Sequence, residues 1–219
     1  METFIKTLIY IHAFLGGLGL LSGLSSVYFR KGNTSHKKSG KIFSAAMISS
    51  SLISLIIARL PNHENTFLFL IGLFTIYMIL AGNRALTFKS KEKSAADTLD
   101  KIISGSMLFI SIIMLGLGVL GILQKIEGSI LYVFFAGFGL FMSVNDFKNF
   151  KRLTTKNIAY LKSHIGRMVG ALIASFTAFL VAGLHFNETI YWMAPTVLGT
   201  VYIIYWIKKV DKHKVSTIK

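Results

Sequence analysis

The stretch "SHIGRMVGALIASFTAFLVAGLHF", Ser163 to Phe186, decides how the chain is read. No charged residue occurs between Arg167 and His185. A helix of about 20 such residues, rising ~1.5 Å per residue, crosses the ~30 Å hydrocarbon core of a bilayer. His164 and Arg167 stand at one end of the stretch and His185 at the other, the two depths at which a membrane helix meets water.

The rest of the chain has the same character. Of its 219 residues 53% are hydrophobic and only 15% charged, and the mean hydropathy of +0.62 is too apolar for a domain whose surface must be wetted. Besides Met168–Leu184 within the quoted stretch, apolar runs lie at about Thr7–Tyr28, Ile42–Ala58, Phe67–Gly82, Ile102–Leu123, Ile130–Val144 and Ile190–Ile207. The third and fifth runs are short and are expected to extend into their polar flanks. The expected fold is all-α, a seven-helix membrane protein. It forms one polytopic transmembrane domain over residues 1–219, because no connection is long enough to bury a core of its own.

The formal charge of +15 would suggest nucleic acid in a soluble protein, but here its placement carries the meaning. Arg30, Lys31, Lys37, Lys38 and Lys41 follow the first run. Arg84, Lys89, Lys91, Lys93 and Lys101 follow the third, and Lys148, Lys151, Arg152, Lys156, Lys162 and Arg167 the fifth. Lys208, Lys209, Lys212, Lys214 and Lys219 follow the seventh. Only Lys6, Arg59 and Lys125 fall on the opposite side. The positive-inside rule then predicts an N-terminus outside and a C-terminus in the cytoplasm. The first run is not expected to be a cleavable signal, since only Glu2 and Lys6 precede it while its positive residues follow. There is no cysteine, which excludes disulfides and thiolate metal sites. The triplets Asn33-Thr34-Ser35 and Asn187-Glu188-Thr189 match a glycosylation pattern that chance supplies often, and they carry no weight.

Before the sixth run, "RLTTKNIAYLKSHIGRM" spaces Ile158, Leu161 and Ile165 among lysines, a pattern expected of an amphipathic helix at the inner interface that then turns into the span. Setting His36 over His164 without a gap places Ala46 over Ala174, Ser50 over Ala178 and Ser54 over Ala182. This predicts a three-plus-one-plus-three parallel repeat. Gly166, Gly170, Ala174 and Ala178 form one i, i+4 row, and Gly19-x-x-x-Gly23 is a helix-contact motif in the first run. Small residues let membrane helices approach closely. The second and sixth helices are therefore expected to be buried and the first to pack centrally.

His12 is the deepest ionisable group. Such a residue is a candidate ligand, proton carrier or haem axial ligand, or a neutral imidazole bonded to a serine or carbonyl of a neighbouring helix. At the inner face stand His36, Arg84, Asp97, Asp100, Asp146, His164 and Arg167. Imidazoles with carboxylates are a ligand set for zinc or iron, and arginines can hold an anionic head group. The alternative is interfacial anchoring, with Arg84, Arg167, Asp97 and Asp100 as ion pairs. His63 and His185 read as surface groups, and Met114, Met142 and Met168 as packing. No HxxxH or HExxH motif occurs, and the histidine spacing disfavours two haems stacked on one helix.

"HAFLGGLGLLSGLSSVYFRKGNTSHKKSG" (His12 to Gly40), "GNRAL" (Gly82 to Leu86), "NDFKNFKR" (Asn145 to Arg152), "LKSHIGRMVGALIASFTAFLV" (Leu161 to Val181) and "WMAPTVLGT" (Trp192 to Thr200) together resemble a group of predicted bacterial integral membrane proteins defined only as a domain of unknown function. More distantly the chain is similar to small membrane proteins linked to haem-copper oxidase assembly. The resemblance implies His12, His36, Arg84, Asp146, His164 and Arg167 as the positions to test, and it implies no activity.

The expected function is binding of a metal ion, haem or anionic ligand by the cytoplasmic-face cluster, with His12, His36, Asp146 and His164 as ligand candidates. The rivals are a redox protein with a single haem b, a proton-coupled transporter of a small solute, and a scaffold without a small-molecule site. Expected partners are the lipid bilayer, a small-molecule ligand and a second copy of the chain, but not nucleic acid.

Overall fold

The computed structural model describes residues 2–89, 93, 95–150, 158–186 and 188–216, and its regular elements are all helical. In chain order they are α1 (Glu2–Tyr28), α2 (Thr34–Ile57), α3 (Thr66–Ala85) with a 3-10 turn at Leu86–Lys89, α4 (Thr98–Leu123), α5 (Ser129–Asn149), α6 (Ala159–Ala178) running into a π-helical turn at Phe179–Gly183, and α7 (Thr189–Ser216). Among the described residues six helices, α1 to α6, are long and apolar enough to cross a membrane. The third and fifth reach past their apolar runs into polar flanks, as expected. A helix, α7, occupies the seventh expected span without being among those six. This is the build of a multi-pass membrane protein.

Two compact units divide the chain. The first gathers 1–79 and 165–219, the second 80–164.

Within the first unit, α1 and α2 pack as an antiparallel hairpin. Gly32 takes a left-handed φ of +83° in the connection, and the Asn33 side chain caps α2 by accepting from the His36 N–H at 2.8 Å. The Lys31 ammonium folds back over the end of α1, donating to the carbonyls of Ser26 at 3.1 Å, Phe29 at 3.2 Å and Val27. It thereby satisfies carbonyls that a helix end leaves open. Burial pushes the pKa of this amine down. Gly19 and Gly23 are the close-approach positions the motif predicts. A Cβ at Gly19 would stand 2.8 Å from Met47 Cε, and one at Gly23 would stand 2.9 Å from Phe43 Cδ2 and 2.8 Å from Leu172 Cδ1.

Two histidines tie the hairpin at its two ends. His12 Nδ1 lies 2.9 Å from both the carbonyl and the hydroxyl oxygen of Ser50, whose hydroxyl donates to the His12 carbonyl at 3.0 Å. His36 Nδ1 lies 3.0 Å from the hydroxyl and the carbonyl of Ser26. The tautomer that satisfies both sets carries its proton on Nδ1, so each helix sends one imidazole N–H to a serine of the other. Ser50→Ala is expected to cost about 1 kcal/mol, the upper-middle range for an interhelical bond in a bilayer. Equilibrium unfolding in bicelles measures it, and an unchanged midpoint would show that this tie contributes nothing.

Several expectations are corrected here. Only 17% of the α1 apolar window is buried, so α1 lies at the rim of its packing and is not central; α3, half buried, is the most enclosed span, ahead of α2 and α6. On α6 the buried face is Arg167, Ala171, Ala174 and Thr177, not the i, i+4 row. Four residues turn a helix by about 400°, so a strict i+4 row drifts ~40° per step and leaves the contact, and steps of three must alternate with steps of four. Gly170 meets Met78, Ala174 is buried and Ala178 half-buried, but Gly166 has nothing within 4 Å of where its Cβ would stand. The amphipathic segment does not turn before the span: from Ala159 to Ala178 it is one helix, while residues 152–157 of it lie outside the described residues.

In the second unit α4 packs antiparallel on α5. Met107, Met114 and Ala136 are wholly buried there, and Gly118, Gly121 and Gly139 each meet side chains of the facing helix. The connection between them turns through left-handed conformations at Lys125 (φ 57°) and Gly128 (φ +78°).

Candidate functional site

The second unit gathers Arg84, Lys93, Asp97 and Asp100 around the N-terminus of α4. Asp97 and Asp100 have the D-x-x-D spacing of a reciprocal cap. The Asp97 carboxylate accepts from the Asp100 N–H at 3.0 Å, and the Asp100 carboxylate accepts from the Asp97 N–H at 3.0 Å. The oxygens left over face two cations. Arg84, in the last turn of α3, donates through Nε to Asp100 and through Nη2 to Asp97. Lys93 pairs with Asp97 at 3.1 Å and Asp100 at 2.6 Å and lies 4.4 Å from the centre of the Phe88 ring. Asp100 is 3% exposed and Asp97 51%. The Asp100 backbone N–H above all, then Lys93 and Arg84, hold the Asp97 carboxyl far below the usual carboxylate range.

Beside this network opens a cleft. Its apolar lining is Ala81, Ala85, Phe88, Ile103 and Phe150, and its polar lining is Arg84, Asp100, Ser104, Asp146 and Ser163. Asp146, from α5, is buried and accepts a 2.8 Å bond from the Ser104 hydroxyl. His164 stands at the edge of the cleft. Its Nδ1 donates to the Gly82 carbonyl at 2.9 Å, and the adjoining Ala81 and Ser163 line the cavity.

Of the residues singled out in the sequence, Arg84, Asp97, Asp100 and Asp146 are thus brought together, with His164 alongside. The other three belong to the first unit. His12 and His36 serve the α1/α2 hairpin, and Arg167, 6% exposed, lies with its guanidinium carbon 5.1 Å from the centre of the Tyr77 ring. Among the described residues no three His, Asp or Glu side chains gather as a set that could hold a metal ion. His63 and His185 are exposed. Lys91, Lys151, Arg152, Lys156, Asn187 and Lys219 lie outside the described residues.

Sequence reasoning missed Lys93, Ser104 and Ser163. Ser104 had a signal: it lies one turn after Asp100, so an α4 that begins at the D-x-x-D cap must present both to the same side. Lys93 had one too, its place four residues before Asp97, whereas Ser163 reaches the site only through tertiary contact.

No protein-family model matches this sequence, and no curated protein or solved structure matches it either. The likeness to a family of membrane proteins therefore stands on the quoted residues alone.

Proposed function

We propose that this chain is a seven-span protein of a bacterial cytoplasmic membrane, N-terminus outside, that binds a small cation or protonated amine in the cleft of its second unit. The observation that carries this reading is the lining of that cleft. Two buried carboxylates, Asp100 and Asp146, line it with one guanidinium, and both nearby cations, Arg84 and Lys93, are already committed to Asp97 and Asp100. A site with more acceptors than uncommitted donors favours a cation over a phosphate or carboxylate. The inward orientation is supported by the basic loops. The three-plus-one-plus-three repeat rests on the gapless alignment of His36 with His164 and of the small residues that follow them.

The test is purification in mild detergent, elemental analysis and an absorption spectrum before and after dithionite, followed by calorimetric titration with Zn2+, Mn2+ and a primary amine. Saturable cation binding, weakened about tenfold or more in Asp146→Asn as for loss of a ligand or its supporting contact, is the expected result. A reducible Soret band would replace this reading with the haem one. A colourless protein that binds none of the three cations would end it.

A further inference from the structure

The end of α1 and the last turns of α7, both in the first unit, meet around one indole. The Lys31 ammonium stands 5.2 Å from the Trp206 ring and 5.7 Å from the Tyr202 ring, and the Lys209 ammonium stands 4.8 Å from Trp206 and 5.7 Å from Tyr205. Trp206 thus carries two cations at cation–π distance. They are not equivalent. Lys31 directs its N–H groups to three carbonyls at the end of α1, which occupies the donors of an ammonium and leaves it a structural clamp. Lys209 is exposed, and among the described residues its contacts are to aromatic faces alone. Arg30, beside the clamp in the chain, is also exposed. The acid nearest in the sequence, Asp211, is two residues from Lys209 on the same helix, a turn of about 200° that puts it on the opposite side.

The level of this cluster is set by the apolar runs. Trp206 is followed directly by Ile207, Lys208 and Lys209, and α1 ends at Tyr28 just before Arg30 and Lys31. Both helices leave the hydrocarbon here, at the depth where tryptophan, tyrosine and basic residues sit among head groups.

We propose that Trp206, held by Lys31, and the exposed ammonium of Lys209, with Arg30 beside them, form a binding site for the phosphodiester of an anionic phospholipid. Charge complementarity and the amphipathic indole select a negatively charged lipid over a zwitterionic one. The site is independent of the cleft in the second unit.

The chain has two tryptophans, so Trp192→Phe leaves Trp206 as the sole indole reporter. The protein is reconstituted in phosphatidylcholine vesicles containing a small fraction of either brominated phosphatidylglycerol or brominated phosphatidylcholine, whose bromines quench a neighbouring indole. Brominated phosphatidylglycerol is expected to quench Trp206 at a roughly five-fold lower fraction, the preference that one basic residue at an anionic surface supplies. Lys209→Gln should remove most of that preference, Lys209→Arg should restore it, and Lys37→Gln with Lys38→Gln should leave it in place. Circular dichroism and the thermal midpoint of each variant establish that the fold is kept. Equal quenching by the two lipids overturns the proposal, as does a preference that survives Lys209→Gln or falls equally in the Lys37, Lys38 variant. Abolition of the preference by inorganic phosphate at constant ionic strength would assign the site to free phosphate and overturn the lipid assignment.

Discussion

Arg84→Gln is expected to destabilise the protein by about 3 kcal/mol, the low end for breaking a buried ion pair by removing one partner. The reason lies in what is left behind. Asp100 is 3% exposed and Arg84 22%, so the carboxylate has given up most of its water and depends on protein donors. Arg84 supplies one N–H to Asp100 and another to Asp97, and glutamine is shorter and offers its two amide N–H groups from one nitrogen without a charge. Lys93 still faces both carboxylates, which keeps the loss near the lower figure. The same substitution releases the cap of α4 from the end of the preceding helix, because Arg84 ties the two together. Unfolding in bicelles measures the energy, and limited proteolysis between residues 86 and 97 measures the release. A cycle with Asp100→Asn separates the pair from its surroundings. The double variant should cost less than the two single losses together, since removing both partners leaves no orphaned charge. Simple additivity would show that Arg84 and Asp100 do not depend on each other.

Much of this architecture is legible in the sequence because a bilayer restricts the alternatives. The run from Met168 to Leu184 has only one economical conformation in hydrocarbon, a helix that satisfies its own backbone. The same holds for each of the other runs. What periodicity could not give was rotation about each axis. The i, i+4 row of α6 contains real contacts at Gly170 and Ala174 but misses at Gly166, because a helix keeps a neighbour only by alternating three- and four-residue steps. Nor does a glycine motif say how central its helix is: Gly19 and Gly23 fit closely against Met47 and Phe43, yet this one seam occupies a narrow face and leaves most of α1 outside.

The candidate site divides the same way. Asp97 and Asp100 were visible as charged residues at a helix start, and their spacing encodes the cap that the structure contains. Asp146 was visible as a carboxylate at the inner end of the fifth apolar run and in the stretch that carries the resemblance. Which partner it takes was not: Ser104 is 42 residues away in the chain, and only the α4/α5 packing brings the two together. The histidines illustrate the limit. All three of His12, His36 and His164 use Nδ1 toward a carbonyl, a pattern that serves helix anchoring as well as it serves the support of a metal ligand. Residue type alone therefore could not choose between these uses.

That α4/α5 contact supplies the second large effect. Gly118→Ala is expected to cost about 1–3 kcal/mol, the range for forcing an extra carbon into a packed interior. A Cβ at Gly118 would stand 2.7 Å from Val133 Cγ2, 3.0 Å from Tyr132 Cβ and 2.9 Å from the Val133 backbone nitrogen. A side-chain end can rotate away, but a backbone nitrogen moves only with its helix. The substitution must therefore push α4 from α5 over the contact it touches, and in lipid no hydrophobic force draws them back, because close packing is itself the attraction. Gly116 is the internal control. It is on the same helix and has nothing within 4 Å of its Cβ position, so alanine there brings only its better helix propensity, up to ~1 kcal/mol of gain. The two variants should move the unfolding midpoint in opposite directions. Gly118→Ala should also weaken the Ser104 bond to Asp146, because both depend on the same pair of helices. If cation binding by the cleft is measured in parallel, Gly118→Ala should lower it while Gly116→Ala leaves it alone. Equal midpoints for the two variants would show that α4 and α5 are not held at the distance these contacts require.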